Sequence, residues 1–230
     1  MITASVQSSH CLLQSELQNR LGPNVAVVCT GVDGDPESLW AEEREAVARA
    51  VPKRQREFAA GRQAARAAMQ RLNWPAAAIP SNTDRSPHWP EGLVGSISHC
   101  SDACAVVVGR KTHWESVGID VEADCGIDES LWSIICSPSE LRLLKELYSP
   151  NSASCVTRLF AAKEAFYKWL FPIEKIILDF QDVSVNWISK DMDFEIVVRQ
   201  FGMSRYFHNG RGQLLVAGGN VVAYFASERA

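Results

Sequence analysis

Asp120 and Glu122 stand two residues apart in Val117-Gly-Ile-Asp-Val-Glu122, a run of β-formers. Side chains alternate faces along a strand, so both carboxylates point the same way. Two carboxylates about 4 Å apart repel by roughly 4 kcal/mol at an effective dielectric near 20. A fold that keeps them together needs a cation between them or a proton on one of them. Gly118 in the same strand marks a close approach of another backbone or a ligand. Further along, Phe160-Ala-Ala-Lys-Glu-Ala-Phe-Tyr-Lys168 adds a third carboxylate, Glu164, flanked by Lys163 and Lys168. Three acids and two lysines read together as a divalent metal facing an anionic, phosphorylated ligand. A blander reading is also open: an edge strand with a wet acidic face, and a Glu164–Lys168 helical pair worth a few tenths of a kcal/mol.

The chain has 230 residues, enough for one large domain or two small ones around a real core. Apolar residues make up 47% and charged residues 22%, the balance of a soluble globular protein. A formal net charge of -4 gives no support for nucleic-acid binding, which needs a strongly basic domain. The seven cysteines form no CxxC pair. Cys100 and Cys104, beside His99, lack the second ligand pair that a zinc site requires, so thiols of a cytoplasmic protein are expected. Residues 1–21 have no basic n-region, and no segment is long and apolar enough to span a bilayer. A cytoplasmic monomer with no membrane partner is the expectation.

Val25 to Cys29 reads as a strand, Leu39 to Ala50 as a helical stripe behind Asp35-Pro36, and Pro52 to Leu72 as a longer helix. Residues 73–92 are a loop rich in proline, serine and asparagine. Strands follow at Leu93 to His99 and Ala103 to Val108, and the strand with the paired acids comes after a turn. Asp128 to Tyr148 is helical in two pieces, with Ser137 as an N-cap and Glu140 completing a capping box. Val156 to Phe171 is a strong helix that Pro172 ends. Its residues Leu159, Ala162, Phe166 and Trp169 form a core face. From Ile176 to Ser227, β-rich runs alternate with Asn-Gly and Gly-Gly turns, as in a meander. Helices then strands, twice over, predict an α+β chain of two similar α/β halves, residues 1–112 and 113–230.

Phe58-x-x-Gly-Arg62-x-x-x-Arg66, Trp89-Pro90, Gly95-Ser-Ile-Ser-His99, Gly118-Ile-Asp120-Val-Glu122 and Lys163-Glu164-Ala-x-x-x-Lys168 follow one another in the order seen in 4'-phosphopantetheinyl transferases. The chain resembles the Sfp-type branch of that family, and within it the enterobactin synthetase component D-like proteins, from about Arg54 to Trp169. The resemblance implies a pseudo-twofold fold with the active site in the cleft between the two halves, and transfer of 4'-phosphopantetheine from coenzyme A to a serine of an apo acyl, peptidyl or aryl carrier protein, releasing 3',5'-ADP. It implies magnesium, or manganese, on Asp120, Glu122 and Glu164, and catalytic roles for Glu164 and Lys168. It sets Lys163, Lys168, Ser98 and His99 against coenzyme A phosphates, and Arg54 and Arg62 against the 3'-phosphate. Arg85 is the basic residue nearest ahead of Trp89-Pro90. Arg142 and Lys145 offer contacts to an acidic carrier. Another metal-dependent phosphotransferase remains open, although no Walker-type loop is present. So does a non-catalytic coenzyme A or nucleotide-binding module.

Overall fold

A computed structural model of the chain describes residues 2–147, 152–188, 192–198 and 211–229. In chain order, α1 (Ile2–Leu21), β1 (Val25–Thr30), α2 (Ala41–Arg44), α3 (Pro52–Arg71), β2 (Leu93–His99), β3 (Cys104–Arg110) and β4 (Trp114–Ala123) come first. They are followed by α4 (Trp132–Ile135), α5 (Pro138–Leu147), α6 (Ser152–Glu174), β5 (Val183–Trp187), β6 (Asp193–Val198), β7 (Arg211–Ala217) and β8 (Asn220–Glu228). The predicted end of the second helical piece at Tyr148 and the Asn209-Gly210 turn lie outside the described residues.

Two antiparallel sheets carry the molecule, one of order β1-β3-β2 and one of order β4-β8-β7-β6-β5. Each has one long helix against it, which gives the α+β arrangement. Small side chains let α3 lie close to its sheet, with Ala64, Ala65, Ala68 and Met69 packed on Ala26, Val28, Val106 and Val108. On the second sheet α6 buries Val156, Leu159, Phe166, Trp169 and Leu170 against Val183, Leu214, Ala223 and Phe225. Full burial of each of its large side chains contributes roughly 1.5–3 kcal/mol. On the opposite face one core spans both sheets, where Leu13, Leu17 and Leu21 of α1 cover Val27, Val107, Val117, Ile119 and Val121.

The sheets are stitched together by side chains. Ser96 Oγ accepts from the Ile119 N–H at 3.1 Å, and Ser98 Oγ accepts from the Val121 N–H at 3.3 Å. Both serines leave β2 on one face, so a two-residue step on β2 meets a two-residue step on β4.

Three expectations need correction. Ile2–Leu21 form a helix that the sequence reading left without an element. Leu39 to Ala50 is α2 flanked by short 3-10 turns rather than one helix. Pro172 does not end α6, which runs on to Glu174 before Lys175 turns into the left-handed region at φ 55°. A proline in the last turn removes one hydrogen bond without displacing the residues already packed.

Candidate active site

β4 reaches the site under tight constraint from α6. A Cβ on Gly118 would stand 2.0 Å from the Ala165 carbonyl oxygen and 2.4 Å from the Trp169 nitrogen. Only glycine lets the helix backbone lie on the strand. Val117, Ile119 and Val121 face the core, which turns Asp120 and Glu122 the other way, as the alternation predicts. A cleft of ≈710 Å3 runs between that face with α6 and a second wall of α3 and β2. It is lined by Arg54, Arg62, Ser98, His99, Asp120, Glu122, Glu164 and Lys168, so eight of the nine predicted site residues come together.

Asp120 is 2% exposed. Its Oδ1 accepts from Ser98 Oγ at 2.8 Å and from Lys168 Nζ at 2.5 Å. Its Oδ2 is buried and has no hydrogen-bond partner among the described residues. Burial, with the neighbouring Asp120 charge second, pushes Glu122 up to about 7. Burial also raises Glu164 above the ordinary carboxylate range, against the pull of Lys168 at 3.9 Å. Burial disfavours the Lys168 ammonium, yet Asp120 and Glu164 outweigh it and hold the lysine protonated. Acid repulsion is thus only partly relieved by one lysine.

On the facing wall Arg54 donates to His99 Nε2. Burial, then Arg54, lowers the histidine below its usual value, which keeps the ring neutral and able to accept. Glu57, which sequence reasoning missed, sits 3.6 Å from Arg54 and 4.0 Å from His99 Nε2. Its position three residues after Arg54 on α3 was the available signal. Arg62 lies deeper. Its Nε donates to the Ile79 carbonyl at 2.7 Å, a terminal nitrogen to Ser81 Oγ at 3.3 Å, and its guanidinium stacks 3.9 Å from the Phe58 ring centre. Burial pulls its pKa down to about 10. Arg66 is out of the cleft and is held by Glu43 at 2.8 and 2.9 Å. Arg85 lines the cleft from a left-handed φ of 68°.

Lys163 is the predicted site residue that the cleft does not contain. Adjacent helical residues point about 100° apart, and Glu164 takes the cleft direction. Lys163 is 2% exposed and its Nζ donates to Glu140 Oε2 at 2.8 Å, inside the protein. Ser98 lines the cleft, but its hydroxyl is committed to Asp120, the Val121 N–H and Lys168. Arg142 is exposed on α5, while the side chain of Lys145 lies outside the described residues.

A second groove of ≈490 Å3 opens from the first and shares Asn82, Arg85, Pro87, Ile97, Glu164 and Lys168 with it. Trp89, Tyr167, Phe171 and Lys175 extend its walls.

Among the described residues no group of three His, Cys, Asp or Glu side chains is already arranged to hold a metal ion. The donors nonetheless fit a hard divalent cation. Asp120 offers a buried oxygen without a partner, and Glu122 and Glu164 are both destabilised as anions. Magnesium takes few protein carboxylates and completes its octahedron with water and phosphate oxygens.

Comparison with known proteins points to one family. Residues 42–109 match the 4'-phosphopantetheinyl transferase N-terminal domain, and residues 116–211 match the 4'-phosphopantetheinyl transferase superfamily. The chain is 37% identical over 158 residues to the 4'-phosphopantetheinyl transferase Svp of Streptomyces mobaraensis, covering 68% of this chain and 64% of Svp. It is 35% identical over 159 residues to Npt of Nocardia iowensis, covering 68% of this chain and 70% of Npt. It is 38% identical over 155 residues to PptT of Mycobacterium tuberculosis, covering 66% of this chain and 68% of PptT. The matches thus span about two thirds of each relative's length. Two adjoining family matches and this level of identity establish that the chain belongs to the 4'-phosphopantetheinyl transferase superfamily.

Proposed function

We propose that the protein transfers 4'-phosphopantetheine from coenzyme A to a serine of an apo carrier protein and releases 3',5'-ADP. The observation that carries this reading is the pairing, across one cleft, of an under-neutralised acid cluster with the arginines Arg54, Arg62 and Arg85, which share their wall with Glu42, Glu45 and Glu57. Asp120 Oδ2 has no partner and Glu122 is pushed to about 7, while Arg54, His99 and Arg85 face them. A diphosphate with a bound cation satisfies both walls, and either alone satisfies one. Residues 1–112 and 113–230 would then supply one wall each.

Asp120, Glu122 and Glu164 would hold magnesium, which supplies neutralising charge to the diphosphate. Arg54, with His99 beside it, binds phosphate at the nucleotide end. Glu164 and Lys168 border both the cleft and the second groove, so the two substrates meet at these side chains. The carrier serine oxygen attacks the β-phosphorus, and the bond from that phosphorus to the bridging oxygen breaks. Glu164, one helical turn from Lys168 on the cleft face of α6, is the carboxylate placed to take the serine proton, directly or through water. Lys168 stays charged and stabilises the negative charge on the departing 3',5'-ADP. The nucleophile belongs to the partner, so no serine–histidine–aspartate arrangement is needed here.

The test is incubation with coenzyme A, magnesium and several apo acyl, peptidyl and aryl carriers, read by intact mass. Gain of one phosphopantetheine on at least one carrier, lost when magnesium is chelated, is expected. No gain on any carrier rejects the reading.

A further inference from the structure

Lys163 has a different position from the one the resemblance implies. Its side chain is 1% exposed and that of Glu140 is 7% exposed. Its Nζ donates to Glu140 Oε2 at 2.8 Å, to the Ile135 carbonyl at 2.8 Å and to the Phe180 carbonyl at 3.0 Å. An ammonium has three donors, and these three acceptors match them. Glu140 is used as fully. Its Oε1 accepts from the Val185 N–H at 2.9 Å, and its Oε2 also accepts from the Ser137 N–H at 2.7 Å. One ion pair therefore ties α6 to the end of α4, the start of α5, the turn at Phe180 and β5.

We propose that Lys163 and Glu140 form a buried clamp that sets the rotation of α6 about its axis, and so aims Glu164 and Lys168 into the cleft. The proposal rests on the function given above. Lys163 and Glu164 are consecutive, about 100° apart around the helix, so anchoring one fixes the direction of the other. Side-chain tips stand about 5–6 Å from a helix axis, and a 10° turn of α6 moves the Glu164 carboxylate by about 1 Å. Displacements of about 1 Å at a reacting centre reduce turnover by about 100-fold. Other contacts set the distance and tilt of α6 on its sheet. Gly118 sets how near the helix comes to β4. Ser116 Oγ donates to the Trp169 carbonyl at 2.7 Å, and Trp169 Nε1 donates to Ser227 Oγ at 3.0 Å, one turn beyond Glu164. The clamp holds the turn that carries Glu164 itself, from the opposite side. Apolar residues in place of a buried ion pair are commonly as stable or more so, which leaves specification of one arrangement as its role. Lys163 and Glu140 are positioning residues in this account, since neither touches substrate.

The variants are Lys163→Met, Glu140→Gln and the apolar double variant Lys163→Met/Glu140→Leu. The readouts are Mn2+ affinity of the free protein by electron paramagnetic resonance, kcat, KM for coenzyme A, and folding by circular dichroism, all well below the melting temperature. The expected result is a tenfold or greater loss of Mn2+ affinity and of kcat in each folded variant, with KM for coenzyme A within twofold of wild type. The double variant is expected to be no worse than either single one, because the two residues act as a unit. The double variant leaves no buried charge behind, so it carries the test if a single variant does not fold. A role in stability alone would leave Mn2+ affinity unchanged at such temperatures. Wild-type Mn2+ affinity and kcat in the folded variants overturn the clamp. A tenfold rise in KM for coenzyme A on Lys163→Met, with Mn2+ affinity intact, also overturns it in favour of a phosphate contact. A wild-type protein that neither binds Mn2+ nor modifies a carrier overturns the functional reading, and the clamp with it.

Discussion

Ser98 Oγ donates a 2.8 Å hydrogen bond to Asp120 Oδ1 while accepting one at 3.3 Å from the Val121 N–H. One hydroxyl on β2 thereby holds a side chain and the adjoining backbone of β4. Ser98→Ala leaves a buried N–H without an acceptor, which costs about 1–3 kcal/mol, and frees the aspartate to rotate. The magnesium concentration that half-saturates carrier modification is expected to rise about tenfold, with a lower melting temperature. An unchanged magnesium requirement would mean that Asp120 is held without Ser98.

Glu122 makes the metal site pH-sensitive, and the direction follows from its raised pKa. Its ordinary value is 4.5 and burial with Asp120 lifts it to about 7. Between those values the folded, metal-free protein keeps a proton that the unfolded chain has lost. The stability this contributes is fully present below 4.5 and is lost as pH rises through about 7. A cation competes with that proton, so metal affinity rises across the same window. The increase in melting temperature on adding magnesium should therefore grow from pH 4.5 to above about 7. Glu122→Gln should flatten the dependence, abolish most turnover and leave the fold intact. A thermal-shift series with and without magnesium gives the answer.

Gly118→Ala drives a methyl group into backbone atoms of Ala165 and Trp169, at 2.0 and 2.4 Å, and neither can rotate away. The variant is expected to lose about 3 kcal/mol or more in urea unfolding, since α6 must lift off β4. Turnover should fall by about 100-fold even where the fold survives, because Glu164 moves with the helix. A folded variant of normal activity would show that strand and helix separate without harm to the site.

Arg54 is half-exposed at the mouth of the cleft and leans on His99. Its removal takes a charge from the nucleotide end without touching the acids. Arg54→Ala should raise KM for coenzyme A about tenfold with kcat changed less than threefold. With 3'-dephospho-coenzyme A the wild type and the variant should converge. Equal penalties with both substrates would move Arg54 away from the 3'-phosphate.

Much of this arrangement is legible in sequence because its periodicity is local. The alternation through Val117 to Glu122 turns the acids to one face, and the three- and four-residue spacing of Leu159, Ala162, Phe166 and Trp169 finds the buried side of α6. Ser137 and Glu140 form the capping box that their spacing implies. What sequence missed depends on partners far along the chain. α1 buries Leu13, Leu17 and Leu21, a stripe too sparse to stand out among polar neighbours. Ser96 and Ser98 look like phosphate contacts because hydroxyls at a strand end fit that task equally well. Only the approach of β4 commits them to backbone N–H groups. Lys163 looks like a site residue through its neighbour Glu164, although consecutive helical positions cannot share a direction.

β4 pairs along its backbone with β8, Asp120 opposite Ala223 and Glu122 opposite Val221. About a hundred residues separate the two strands in the chain. On the other edge of β4 the Ile119 and Val121 N–H groups, which point away from β8, donate to Ser96 and Ser98 of β2. β4 is thereby covered along both edges, by the backbone of one sheet and by two side chains of the other, so the strand that carries the acids is fixed from two directions at once.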